Sequence, residues 1–548
     1  MQSLDANYLP VQDRRKQRGS ALLLSIFFLI VLVFLADALL VLCPTELQAA
    51  RQEKFQNQAY YLAEGGLITA IKMIENEALA HPATFDSAVT DSSNAPSLTL
   101  GDMLCQVTIT GQGNTHDKKK VYLLTSVVTL NGRTVKQLQA LIRQNSFADY
   151  GYFSDIEQPY LEYDGCYSSA RTFWWYDNWK ISGPFHTNGD FYVSYTPSSS
   201  NTGTTFSDKV SISGTAYFNS NLQTYEQALT SDPDLNDQLF GGNQLLNNKK
   251  INLPTDTVNL QNTAWGGNGF SQPGNGIYVN SGNLENAGII IGGDVNVMKL
   301  YSDNGNPGVI IRQGDYAIAN NGYKVITESN GTVSVQTGHV DNYNAFSSIA
   351  GSTTQSYPNL GKNFGKRVIY CTGNINSLFG ENQSPTIIAT AVGKDIIISG
   401  DITQRSTAKG SQPASASDAL GLIGHNVRVA ESLVANYRDN LYLYATIMAL
   451  KDPNHSIDSG GIFSSYDRYS FQVPNGCFMA DYSYHYPTPV ADRKIKIYGG
   501  LVQSVRGQVG NASCGFGRDL FFDSYAADSL SAVFPQIGFE VTALSSAR

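Results

Sequence analysis

A mainly β fold carried on one long N-terminal α-helix is what three observations in the sequence predict. An apolar run from Ala21 to Cys43, broken only by Ser25 and Asp37, leads into a helical amphipathic pattern that continues to Glu77. Alternating strand-like segments follow between Ser97 and Asn145. From Ile181 onward, short runs of β-branched residues recur between Gly, Asn and Asp. The expected architecture is a helix with a small antiparallel sheet, then a large parallel β-helix-like domain. The expected divisions are a basic leader (1–19), a long helix (20–80, apolar over 20–43), a small sheet (81–146), an aromatic seam (147–180) and a β-helix-like surface domain (181–548).

As a helix, the apolar run spans roughly 35 Å at about 1.5 Å per residue, enough for a bilayer core of about 30 Å. Arg14, Arg15, Lys16 and Arg18 precede it, and the far flank is mixed (Glu46, Arg51, Glu53, Lys54). The positive-inside bias then places the N-terminus in the cytoplasm and the body outside. A cleaved secretory signal is the competing reading, because Ala36-Asp37-Ala38 has the small-x-small pattern. Cleavage there would leave Leu39 to Cys43 as an apolar new N-terminus, and Leu42 is too bulky to precede a lipoprotein cysteine.

Beyond the run, Phe55, Ala59, Leu62, Gly66, Ala70 and Ile74 recur at three- and four-residue spacing, the signature of an amphipathic helix. Pro44 at the join removes a backbone donor and is expected to kink or locally melt the helix.

Next come strands over Ser97 to Ile109 and Lys120 to Asn145, with Asn131-Gly132 as a hairpin signal and Lys118-Lys119-Lys120 as a solvated turn. From Phe147 to Lys180 the chain is aromatic and irregular. Its Trp174-Trp175-Tyr176 cluster reads as core or domain seam before it reads as a sugar platform. In the body the recurring unit is an apolar triplet, a Gly-Asp or Gly-Asn turn and a second short strand, as in Asp395 to Ile402 and Leu420 to Val429. This is how a parallel β-helix reads, although the uneven spacing also admits a β-sandwich. The block from Asn219 to Thr263 interrupts the pattern, with a short helix expected near Leu222 to Thr230.

Two resemblances add to this reading. The basic leader ending in Gly19, the small Ser20 and the apolar helix resemble the class III leader of type IV pilins and pseudopilins, in which prepilin peptidase cuts after the glycine. Gln58 to Gly66 (QAYYLAEGG), with Glu64, is similar to the signature that follows the apolar helix in PilX-type minor pilins and K-type minor pseudopilins. Most major pilins carry Glu at the fifth position after the cut, and here that position is Leu24. The resemblance therefore implies a tip or initiating subunit, with no neighbour above whose amino terminus needs a partner. Asp37 is either a partner charge or a residue near the outer interface that reaches water. The second resemblance covers roughly residues 180 to 540. Gly183 to Asp190 (GPFHTNGD) and Gly499 to Gly510 (GGLVQSVRGQVG) look like words of an uncharacterised bacterial domain found behind PilX-like helices. That family has no established activity, so it implies architecture and export and no chemistry.

Net charge is −9 with a pI near 5.3, which argues against a nucleic-acid partner. The six cysteines (43, 105, 166, 371, 477, 514) show no zinc spacing, and Cys477 with Cys514 is the first disulfide to test. A lyase or hydrolase would need carboxylates converging on one face, whereas Asp190, Asp294, Asp395 and Asp401 stand singly at turns. Asp303 to Gly308 faintly resembles a calcium loop but lacks the bidentate Glu. His186, His425 and His485 have no partner at ligand spacing, and Asn188 shares the turn of His186. Arg506 either anchors an acidic surface group or pairs with a structural carboxylate.

The sequence thus predicts no enzyme, no metal and no cofactor. The leading reading is a minor pilin-like or pseudopilin-like subunit, processed after Gly19, whose partners are prepilin peptidase, other pilin subunits, the inner membrane and, at the tip, a glycan or other surface. The alternatives are a permanently anchored β-helix protein outside any filament and, behind it, a carbohydrate-active enzyme.

Overall fold

The computed structural model describes residues 14–80, 89–91, 94–111, 121–157, 174–175, 180–194, 205–219, 221–271, 274–282, 287–360, 368–415, 417–430, 432–433, 439–452, 463–464, 493–507, 510–511, 514–531 and 533–547. Its fold is mostly β with one long N-terminal helix, as the sequence predicts.

The helix Arg14–Ala80 runs for 67 residues without interruption, about 100 Å at 1.5 Å per residue. Pro44 lies inside it, and the helix continues through it, so the locally melted stretch admitted there does not form. Only one backbone donor is lost, the one that would serve the Leu40 carbonyl, and the neighbouring Thr45 hydroxyl donates to the Leu42 carbonyl at 2.7 Å.

The second half of the helix is held by a sheet. Ala59, Ala63, Gly66, Leu67, Ala70 and Ile74 form its buried stripe. They pack on Cys105, Val107, Ile109, Tyr122, Leu124, Leu138, Ala140 and Ile142. The alternating burial along Met103–Gly111 and Val121–Leu130 follows from the two-residue period of a strand with one covered face. Asn131 and Gly132, at φ 50° and 76°, make the hairpin turn between Val121–Leu130 and Arg133–Ser146.

This sheet has five antiparallel strands, and the fifth, Gln536–Ala547, comes from the far end of the chain to pair with Arg133–Ser146. By sequence alone these residues belong to the β-helix-like domain expected over 181–548. Their exposed, weakly alternating pattern carries no local sign of a partner some 400 positions away. The strand Tyr152–Ile156 likewise lies inside the expected aromatic seam yet belongs to the body.

The body is a stack of coils, each giving a strand to one of two long, largely parallel sheets. In the first sheet the strands run, in spatial order, Leu246–Asn247, Val210–Ile212, Phe185–Thr187, Tyr152–Ile156, Leu501–Val505, Thr446–Ala449, Leu420–Gly424, Thr386–Thr390, Val368–Cys371, Ile289–Gly292 and Gly276–Tyr278. The chain therefore enters mid-stack at Tyr152–Ile156 and winds to one end. The helices Tyr225–Ser231 and Leu235–Phe240 precede Leu246–Asn247 at that end, and the chain then crosses through the helix Val258–Trp265 to the other end. From there it winds back until Leu501–Val505 docks in parallel beside its own starting strand. An inward column records the stacking: Ile289, Ile369, Ile388, Leu422, Ile447, Leu501, Tyr152, Phe185 and Val210 are successive register partners, and all are buried.

The turns are stacked too. Asp294 Oδ1 accepts from the Asn374 N–H (2.7 Å), Asn374 Oδ1 from Asp395 N–H (2.9 Å) and Asp395 Oδ1 from Asn426 N–H (3.1 Å). Each side chain thus meets a backbone donor of the next coil, which is why Asp and Asn recur where the triplets end. Asp190 and Asp401 do the same for Thr215 and Tyr442. The faint calcium loop is a hairpin turn with left-handed Asn304 and Gly305, and Asp303 pairs there with Lys324 at 2.9 Å.

Candidate functional site

Two features stand out, an exposed apolar half-helix and a buried polar seam. From Leu22 to Leu47 the large apolar side chains of the helix are exposed, and this stretch is long and apolar enough to cross a membrane. Gly19 and Ser20 lie within the helical backbone. Leu24 is 61% exposed, and Asp37 is exposed within the same run. Glu64 is half-buried at the flank of the stripe that packs on the sheet. The apolar surface is thus presented to something outside the chain, which one N-terminal membrane anchor would satisfy.

The seam lies where the returning strand Leu501–Val505 meets Tyr152–Ile156. Glu157, just past the end of that strand, is fully buried. Its Oε1 accepts from Arg506 Nη1 and from Trp175 Nε1, both at 2.6 Å. Its Oε2 accepts from the Tyr152 hydroxyl at 2.8 Å and from the Ser154 hydroxyl at 2.5 Å. Four donors on one carboxylate replace the water it has lost, the condition for holding a charge inside a core. Arg506 is 3% exposed, stacks its guanidinium 4.2 Å from the Trp175 ring and donates to the Trp174 carbonyl. It therefore faces an internal carboxylate and not a surface ligand. Burial and the neighbouring carboxylate push the Tyr152 hydroxyl up, so it stays protonated and donates. Burial beside Arg506 draws Arg518 down to about 10.

His186, Asn188 and Asp190 sit on the other side of the same starting strand. Phe185–Thr187 pairs in parallel with Tyr152–Ile156. Asn188 mimics a peptide group: Nδ2 donates to the Ile251 carbonyl (2.7 Å) and Oδ1 accepts the Ile251 N–H (3.0 Å). That pairing fixes the amide, so Oδ1 can only accept, and His186 Nε2 at 3.0 Å must carry a proton. Nδ1 then accepts from the Ser211 hydroxyl at 2.8 Å, and burial lowers the pKa of the imidazole. The cluster is a closed network that ties the crossing segment near Ile251 to the stack.

The two words that carried the second resemblance thus lie on strands flanking Tyr152–Ile156. Glu157 and the role of Trp175 were missed in the sequence. The available signal was Arg506 itself, a lone cation in an apolar strand context that calls for a buried anion. Among the described residues, no three His, Cys, Asp or Glu side chains are grouped to hold a metal. His425 donates or accepts at the Leu450 carbonyl, Trp175 is core, and Cys43, Cys105 and Cys371 are free. His485, Tyr176, Cys166, Cys477 and the run Lys118 to Lys120 lie outside the described residues, as does the proposed Cys477–Cys514 pair.

The sequence matches no family model and none of the curated proteins. Among solved structures, the competence-associated pilin ComZ from Thermus thermophilus aligns over 90% of this chain and 97% of its own, at 11% identity and a TM-score of 0.25. An overlap that loose carries no argument.

Proposed function

We propose that this chain is a minor pilin-like or pseudopilin-like subunit, held in the inner membrane by Ala21 to Cys43, processed after Gly19 by prepilin peptidase and assembled with other pilin subunits. The observation that carries the reading is the division of one continuous helix into an exposed apolar half and a half packed on a small antiparallel sheet. In this reading the body is the displayed part. Its place is at or near the filament tip, because its bulk would obstruct close packing along a shaft, and Leu24 leaves no acid for a subunit above. There the body meets a glycan, another surface or a further minor subunit, as in PilX-type adhesion or assembly roles. The body is read as non-enzymatic, since its described turn carboxylates are committed to backbone donors.

N-terminal sequencing of the mature protein tests the proposal. It should begin at Ser20. An intact Met1 would favour a permanent anchor, and a start near Leu39 a cleaved signal; either overturns the filament reading.

A further inference from the structure

The fifth strand of the small sheet, Gln536–Ala547, is an edge strand with one side paired and the other side open among the described residues. Its opposite number at the other edge, Ser97–Leu100, has four residues, whereas this one has twelve. Long open edges are normally blunted by charges, proline or bulges. Two bulges interrupt the pairing with Arg133–Ser146, the second between Val541 and Ala543, and beyond it Ala543 to Ala547 pair regularly with Leu141 to Gln137. The strand holds one charge, Glu540, and no proline.

Its apolar side chains are also uncovered. Val541 sits opposite Ile142 and Leu544 opposite Ala140, so both share the face on which the helix packs. Ile142 and Ala140 are buried by that helix, yet Val541 is 47% and Leu544 57% exposed. The helix flank towards this edge is marked at its two ends. Tyr60 lies under Lys136, 5.8 Å from the ring, and Glu75 approaches Gly538. Between them at helical spacing stand Glu64, the exposed Ile68 and Ile71. The result is a shallow apolar trough with an acidic border, floored by an open strand edge.

We propose that this edge is a docking site for an extended segment of a different protein chain, which adds to Gln536–Ala547 as a sixth strand. The groups that no described strand pairs are backbone N–H and C=O at strand spacing, and an extended chain presents their complement. Alternate apolar residues would cover Val541 and Leu544 on the helix face, and a basic residue on the other face would lie opposite Glu540. Antiparallel pairing with a second copy of this chain does not fit, an argument that rests on the membrane-anchored reading above, and a parallel pair is covered by the dimer outcome of the test. Antiparallel pairing of two copies along this edge needs a twofold axis normal to the sheet, which points the two N-terminal helices in opposite directions. They could not then enter one membrane with the same topology. Head-to-tail pairing would meet only the four residues of Ser97–Leu100.

The probe is a labelled peptide with the sequence of residues 137 to 146, which already pairs with this strand through its other edge and sets Arg143 opposite Glu540. It is added to the detergent-solubilised full chain, with anisotropy and amide hydrogen exchange as readouts. Saturable binding with slowed exchange over residues 540 to 547 is expected. Val541→Asp with Leu544→Asp should weaken binding at least about tenfold at an unchanged melting temperature, and glutamate in place of the peptide's arginine should weaken it about two- to fivefold. No saturable binding overturns the proposal. So does faster exchange over residues 137 to 146 of the chain, since the peptide would then be displacing the resident strand. A concentration-dependent dimer abolished by the Asp substitutions overturns the choice of a different chain. None of these outcomes needs processing or insertion, so failure here is separable from a mature N-terminus that does not start at Ser20.

Discussion

Glu157 and Arg506 are 349 residues apart in sequence and meet at 2.6 Å inside the protein, where the returning end of the coil stack docks on its first strand. A buried pair of this kind is costly to break from one side, because the remaining charge has no water. Arg506→Met should therefore destabilise the body by about 3–5 kcal/mol. Glu157→Gln together with Arg506→Met should recover part of that loss, because neither residue is then left charged and unpaired. Chemical denaturation followed by Trp fluorescence checks both, since Trp175 is packed on the pair. A double-variant loss equal to the sum of the Arg506→Met and Glu157→Gln losses would mean the pair has no coupling.

Gly66 marks a close approach of helix and sheet. A methyl group there would lie 2.6 Å from Cys105 Sγ, 2.9 Å from Ser126 Oγ and 3.0 Å from Val107 Cγ2. Gly66→Ala should cost about 1–3 kcal/mol from overpacking, against a gain of at most about 1 kcal/mol in helix propensity. Gly65→Ala meets only Leu98 at 3.7 Å and should be neutral or stabilising by up to about 1 kcal/mol. Opposite signs of the two melting shifts are the expected result. Matching signs would show that the helix is not seated as described.

The contrast between local and distant signals explains what could be read beforehand. The buried stripe from Ala59 to Ile74 and the Asn131-Gly132 turn are written in neighbouring residues, so spacing alone exposes them. The Asp and Asn turns are equally local, and each proves to reach one coil onward. Order within the stack is different. Nothing near Leu501 says that its register partner is Tyr152, because parallel coils with similar apolar triplets are interchangeable as patterns. Glu157 escaped for the same reason, standing at the end of an aromatic run with its cation hundreds of positions away. At Pro44 the local rule admits a melted stretch, and the helix instead continues through it between the two long stretches it joins.

His186 gives the body a pH dependence. Burial lowers its pKa below the unfolded value of about 6.5, so the unfolded chain takes up the proton first. Its contribution to stability is complete above that unfolded value and is lost as pH falls from there through the lowered folded value. Denaturation midpoints at pH 7.5, 6.5 and 5.5 should fall faster in the wild type than in His186→Gln, which cannot titrate. Parallel profiles would mean that burial does not hold His186 neutral in the folded chain.

Asn188→Ala isolates the tie between the crossing segment and the stack. The substitution leaves the Ile251 N–H and carbonyl without their side-chain partner and removes the acceptor that holds His186 Nε2–H. Each bond is worth about 0.5–1.5 kcal/mol net, and a buried donor left unmet costs about 1–3 kcal/mol. The loss should first appear locally, as faster proteolysis and amide exchange near Ile251, and only then as a lower global midpoint. Asn188→Asp is the sharper variant. Its carboxylate keeps the acceptor for Ile251 N–H and His186 but turns a donor into an acceptor facing the Ile251 carbonyl and Asp155. It should therefore be worse than Asn188→Ala at pH 7.5 and recover on acidification. A variant no less stable than Asn188→Ala at pH 7.5 would contradict the peptide-mimic geometry from which the tautomer of His186 was deduced.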